Sequence, residues 1–159
     1  MIVVSNTTPI ISLYKIGELE ILEKLFGQVI IPTAVYNEIN VAGKKGHDIL
    51  NTVQYIKTNN IQNLLAVNLL QSQIDYGEAE AIVLARELKA DVLMLDEKKA
   101  RKIARADSQT VIGTIGILQA AKNKGLISNM RTYLDGLITN GIWIDKKLYH
   151  EVLRFNQEK

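Results

Sequence analysis

Four short apolar runs, each stopped by a polar residue or a proline, constrain this chain more than any other feature. Residues 2–4 stop at Ser5-Asn6, residues 29–31 at Pro32, residues 92–95 at Asp96, and residues 110–112 at Gly113-Thr114. A strand with one wet face alternates apolar and polar residues. Runs that are apolar throughout suit strands covered on both faces, as in a parallel sheet. Parallel neighbours need long crossovers, usually helical, and the intervals between these runs carry helical spacing.

The helical readings follow in order. Residues 8–25 place Ile11, Leu13, Ile16, Leu19, Leu22 and Leu25 in a helical pattern that breaks at Gly17. Thr33 caps a helix over 33–41, and residues 47–55 carry a weaker pattern. Within 57–70 a short strand is expected near 65–67. Helices are expected over 78–88, 97–106, 114–124 and 130–139, the last with Ser128 as cap and Gly141 just past its end. Residues 142–144 read as one more strand. Asp145 then caps a final helix carrying Leu148, Val152 and Leu153. Strands alternating with helices predict a three-layer α/β/α sandwich with a mostly parallel four- to five-stranded sheet. The expected organisation is a single domain over 1–159, with residues 126–159 as a C-terminal helical extension packed on it.

Composition narrows the function classes. The chain has 159 residues, enough to bury a real core, and no cysteine, which excludes disulfides and thiolate metal sites. The apolar N-terminus is interrupted by Ser5, Asn6, Thr7, Thr8 and Pro9 and lacks a basic start, so it reads as a strand and not a signal peptide. No apolar run approaches the ~20 residues of a membrane helix. A cytoplasmic protein without membrane contact is the expectation. A net charge of +2 is too small to indicate nucleic acid by itself.

In a parallel sheet, ligands bind outside the carboxyl ends of the strands. Asn6, Asp96 and Gly113-Thr114 hold such positions. Each has a plain reading: Asn6 as cap of the first helix, Asp96 as cap of helix 97–106. Asp75-Tyr76-Gly77-Glu78 fits a capping box, yet Glu78 also shares a face with Ala81, Ile82 and Ala85, at the rim of the buried stripe. Glu80 and Glu87 fall on a more polar face. Glu38 alone reads as a solvated helix residue. Lys98, Arg101, Lys102 and Arg105 form one cationic face, suited to phosphate or simply solvated. Thr114, at a helix start, could meet an anion. His47 and His150 lack spaced partners. Taken together, Asn6, Glu38, Glu78 and Asp96 come from four elements and converge on one edge. Oxygen groups gathered there suit Mg²⁺ or Mn²⁺. Metal-assisted phosphodiester hydrolysis is a chemistry that needs such a site.

With these residues in place, the chain resembles the PIN-domain family. The likeness lies in residues 3–9 (Val-Val-Ser-Asn-Thr-Thr-Pro), 31–39 around Glu38, Gly77-Glu78-Ala79-Glu80-Ala81-Ile82, residues 93–101 around Asp96, and 111–116 around Gly113. The nearest variety is a poorly characterised subfamily close to the ribonuclease toxins of prokaryotic toxin–antitoxin pairs. The resemblance implies a parallel sheet between helices, an acid cluster holding Mg²⁺ or Mn²⁺, RNA cleavage, a small antitoxin partner and a homodimer. It gives Glu38, Glu78 and Asp96 three acidic positions; as a ribonuclease the chain would use Lys98, Arg101, Arg105 and Thr114 as contacts to phosphate. Where the family has its first aspartate this chain has Asn6, which removes a negative charge from the expected metal site. Lys98 also stands where some members carry a further acid. An RNA- or protein-binding module without catalysis is the alternative. A receiver-like domain phosphorylated on Asp96 is a third reading, but Ser5-Asn6 stands where it would want paired acids.

Overall fold

The structure, a computed structural model, describes residues 1–42 and 49–159. In chain order the elements are β1 (Val3–Ser5), α1 (Thr7–Lys15), α2 (Ile21–Phe26), β2 (Val29–Pro32), α3 (Thr33–Ala42), α4 (Ile49–Thr52), β3 (Ile56–Asn59), α5 (Leu64–Leu70), α6 (Tyr76–Leu88), β4 (Val92–Met94), α7 (Lys98–Ala106), β5 (Val111–Ile112), α8 (Thr114–Asn123), α9 (Arg131–Thr139) and α10 (Lys146–Phe155). The strands form one five-stranded parallel sheet in the order β3-β2-β1-β4-β5.

Consecutive strand residues explain why the runs are apolar throughout. Val3 and Met94 pack into one buried cluster with Ile10, Leu13 and Ile117, while Val4, Leu93 and Leu95 pack into another with Ile82 and Leu84. Each face of the sheet therefore carries its own core. Burying one Leu or Ile contributes about 1.5–3 kcal/mol, so both faces need cover, and the helices supply it. Leu134 and Leu137 of α9 and Leu153 of α10 join the first cluster, which packs the C-terminal helices onto the same core as α1.

Several expectations give way. Residues 65–67 are not a strand: they lie within α5, whose N-cap Asn63 accepts a hydrogen bond from Ala66 N at 3.0 Å. The strand there is β3, an edge strand with only Ile56 buried. Residues 142–144 form no strand either. They are an extended loop from α9 to α10, held by Ile142 N donating to Leu137 O at 3.0 Å. Met130, not Ser128, is the N-cap of α9, and Glu158 accepts from the N–H groups of Met130 and Arg131 at 2.8 and 3.0 Å. The helix expected over 47–55 is reduced to α4, and its first residues, His47 included, lie outside the described residues. The break at Gly17 holds, with φ of 72° in the left-handed region that glycine tolerates. Asp145 caps α10 by accepting from Leu148 N.

The strand order reverses at β1. The chain leaves β1 toward β2 on one side and comes back to β4 on the other, so a crevice opens between the carboxyl ends of β1 and β4. Asn6 follows β1 directly and Asp96 follows β4 by two residues.

Candidate active site

Asn6 sits at the middle of that crevice. Its N–H donates to Met94 O at 2.9 Å, continuing the β1–β4 ladder by one residue. The residue is 4% exposed, yet its side chain makes no capping bond to α1, and its Oδ1 is buried with no partner among the described residues. Asn6 is thus the N-cap of α1 by position, as expected, but its side chain does no capping. A buried oxygen without a donor is uncommon and calls for a physical cause.

Next along the chain, the Thr7 hydroxyl donates to Glu38 Oε2 in a short hydrogen bond. Glu38 is half-buried on α3 and is not the solvated residue expected from its segment alone. Its carboxylate rests on Gly77 in the first turn of α6: a Cβ at Gly77 would stand 2.7 Å from Glu38 Cδ.

Glu78 is one residue further on. Asp75 and Glu78 form the full capping box: Glu78 N donates to Asp75 Oδ1 at 2.8 Å, and Asp75 N donates to Glu78 Oε1 at 3.1 Å. Glu78 is thus a helix cap, with one oxygen bonded. It is also 6% exposed. Burial above all, and then the carboxylates of Asp75 and Glu97, push its pKa up to about 7, against the lowering pull of the Asp75 N–H. Glu97 was legible only as the first residue of a helix. The structure makes it the N-cap of α7, accepting from Ala100 N at 2.7 Å, and a charge that Glu78 feels.

Asp96 therefore does not cap α7. It reaches across to α8, where Thr114 N donates to Oδ1 at 2.7 Å and the Thr114 hydroxyl donates to Oδ2 at 2.6 Å. Both Thr114 donors are thus engaged with Asp96 and not turned toward a ligand. Gly113 makes this approach possible: a Cβ there would lie 2.8 Å from Asp96 Oδ1 and 3.0 Å from Arg101 Nη1. Arg101 is half-buried and, like Asp96, lies against Gly113, and its Nε is buried without a partner among the described residues. Thr8, Asp96, Arg101 and Thr114 line a cleft of about 710 Å³. Lys98, Lys102 and Arg105 remain exposed on α7.

The crevice thus holds two groups with Asn6 between them. On one side are Thr7, Glu38, Gly77 and Glu78, and on the other Thr8, Asp96, Arg101 and Thr114. Among the described residues, no three acidic or histidine side chains converge closely enough to hold a metal ion together. Glu80 and Glu87, expected on a polar face, are structural. Glu80 is 5% exposed and accepts from Ala34 N at 2.9 Å, and Glu87 accepts from Gln62 N and Asn63 N. Their partners lie 46 and 25 residues away, beyond what helical periodicity can show.

No helix among the described residues is long and apolar enough to cross a membrane. A search of the curated proteins finds no match. A protein-family model described as the PIN domain matches residues 2–158. PIN domains have a nuclease-like fold, are generally dependent on a divalent metal and typically bind RNA. The match takes in every segment that carried the resemblance and nearly all the sequence around them, and the chain belongs to the PIN-domain family.

Proposed function

We propose that the protein is a Mg²⁺- or Mn²⁺-dependent endoribonuclease, of the kind that serves as the toxin of a toxin–antitoxin pair, dimeric and held by a small antitoxin. The observation that carries this reading is Asn6 Oδ1, buried and unpartnered at the strand-order reversal, between Glu38 and Asp96. An unused lone pair at that strand end fits a hard cation, and the candidate ligands are all oxygen, which suits Mg²⁺ or Mn²⁺. The ligand set would be Asn6, Glu38, Glu78 and Asp96, whose three carboxylates would have to close on the ion from where they stand. Bound there, the ion would make water a better nucleophile and neutralise charge on the attacked phosphate.

The chain's own residues support this in kind. Thr7 and Thr114 fix the rotamers of Glu38 and Asp96 by donating to them. Glu78, whose pKa burial and the neighbouring Asp75 and Glu97 carboxylates push up to about 7, is a carboxylate that a nearby cation would relieve. Arg101 is a fixed cation next to Asp96 for a phosphate oxygen, with Lys98 and Arg105 further along the strand's path. The purified protein should cut RNA with Mn²⁺, and Asp96→Asn should abolish the cut. Cleavage by the variant equal to wild type would sink this reading.

One observation favours a second reading, a catalytically impaired module that binds RNA or protein. The acids do not converge in threes, and the residue between them is neutral. If Asn6→Asp creates metal-dependent cleavage absent from the natural protein, this second reading stands. Equal cleavage by both forms removes it.

A further inference from the structure

The cleft beside Asp96 has an apolar wall as well as a charged floor. The wall is the loop from α9 to α10, where Ile142 and Ile144 pack on the core and Trp143 between them is 83% exposed. The loop backbone is tied at both ends, by Ile142 N donating to Leu137 O and by Leu148 N donating to Asp145 Oδ2. Single exposed apolar residues are ordinary on protein surfaces. This one lines the same cleft of about 710 Å³ as Arg101, whose Nε is buried and unpartnered. A flat π surface on a fixed backbone and a cation stand on one cleft that also contains Asp96. That combination matches a nucleotide, which has a planar base and an anionic phosphate. The volume lies within the roughly 300–1,000 Å³ of small-ligand sites.

We propose that the cleft between Trp143 and Arg101 holds one unpaired nucleotide, its base stacked on the indole and its phosphate on the guanidinium, so that single-stranded RNA is led past Asp96. This rests on the ribonuclease reading of the same site. Bases inside a duplex are already stacked on both faces, whereas unpaired bases can be laid on aromatic side chains. The subsite therefore selects single strands. The charge of the surroundings agrees, since Lys98, Lys102 and Arg105 are exposed on the helix that carries Arg101.

Trp143 is the only tryptophan in the chain, so its emission reports on this cleft alone. The protein is titrated in chelator with a short end-labelled single-stranded RNA and with the same sequence as a duplex, following tryptophan emission and label anisotropy together. Saturable quenching by the single strand and none by the duplex is expected. Trp143→Ala should weaken binding by about 5- to 150-fold, while Trp143→Phe keeps most of the affinity. Binding without an emission change overturns the proposal, as does wild-type affinity in Trp143→Ala. It is also overturned if Trp143→Ala weakens self-association in sedimentation and leaves RNA binding intact, which would make the indole a protein contact. Because binding is read without metal, the two readings fail separately. Quenching by RNA that Mn²⁺ never causes to be cut removes the nuclease and keeps the subsite. Cleavage with an unchanged KM in Trp143→Ala removes the subsite and keeps the nuclease.

Discussion

The carboxylate of Glu38 fills the space where a Cβ on Gly77 would stand, leaving no room there for a methyl group. Gly77→Ala would place its Cβ 2.7 Å from Glu38 Cδ. The clashing atoms are the end of a flexible side chain, so Glu38 can swing away and lose its bond from Thr7. Gly77→Ala should therefore cost little stability, because alanine is favoured over glycine in a helix by about 1 kcal/mol and the clash is met by a side chain that can move, yet reduce Mn²⁺-dependent RNA cleavage at least tenfold. Urea denaturation and a cleavage assay on the same preparation separate the two effects. A large loss of stability with unaltered cleavage would contradict a functional role for Glu38.

Glu80 should behave in the opposite way. Its buried carboxylate accepts from Ala34 N at the start of α3, and α3 carries Glu38. Glu80→Ala leaves a buried N–H without an acceptor, a loss of about 1–3 kcal/mol, to which the deleted side chain adds. Glu80→Gln keeps an acceptor oxygen and should recover much of that stability. The check is the urea midpoint of both variants against wild type.

The outline of the sheet was legible because the central strands are covered twice. Val3 and Val4 serve opposite cores, as do Leu93 and Met94, and the sequence there has no polar residue to offer. Strand β3 stayed hidden because it is an edge: Lys57, Thr58 and Asn59 are exposed, so nothing apolar marks it. Residues 65–67 nearby suggested a strand, but a capping Asn63 turns them into the start of a helix, with Leu65 exposed and Val67 buried. Asn6 and Asp96 could be found because they end strands, a position with a chemical meaning of its own. The partners that fix the site could not. Asp96 is held by Thr114, 18 residues on, and Glu38 by Thr7, 31 residues back. Such pairings depend on strand order, which periodicity does not encode.

The raised pKa of Glu78 makes stability depend on pH. Its folded value, about 7, lies above the ordinary carboxylate value of 4.5. The folded state thus holds the proton more tightly than the unfolded chain. This contribution is complete below about pH 4.5 and is lost as pH rises through 7. In chelator, wild type should become less stable across that window, by up to about 3 kcal/mol from this group. Glu78→Gln keeps an oxygen for Asp75 N–H but cannot ionise, so its stability should be flatter over the same range and exceed wild type above pH 7. Thermal melts at half-unit pH steps measure the difference between the two curves. Parallel curves would show that Glu78 titrates normally.

Asn6→Asp tests the crevice most directly, because it adds a charge to a residue that is 4% exposed. Without a cation the new carboxylate is buried at the edge of the sheet that also carries Glu38 and Asp96, with only the desolvation cost and like-charge repulsion to meet. In chelator, then, Asn6→Asp should melt below wild type. With Mn²⁺ present the order should reverse. A ligand that binds only the folded state stabilises by RT ln(1 + [L]/Kd), about 2.7 kcal/mol at a hundred times Kd, and the added charge lowers Kd. The natural protein, with the neutral Oδ1 in place, should show a smaller Mn²⁺-dependent shift in Tm. Asp96→Asn in the same background should remove most of the shift in both forms. The measurement is Tm against Mn²⁺ concentration for the four proteins, and it needs no RNA. If Asn6→Asp gains no Mn²⁺ stabilisation over wild type, the unpartnered oxygen at the end of β1 is not a cation ligand.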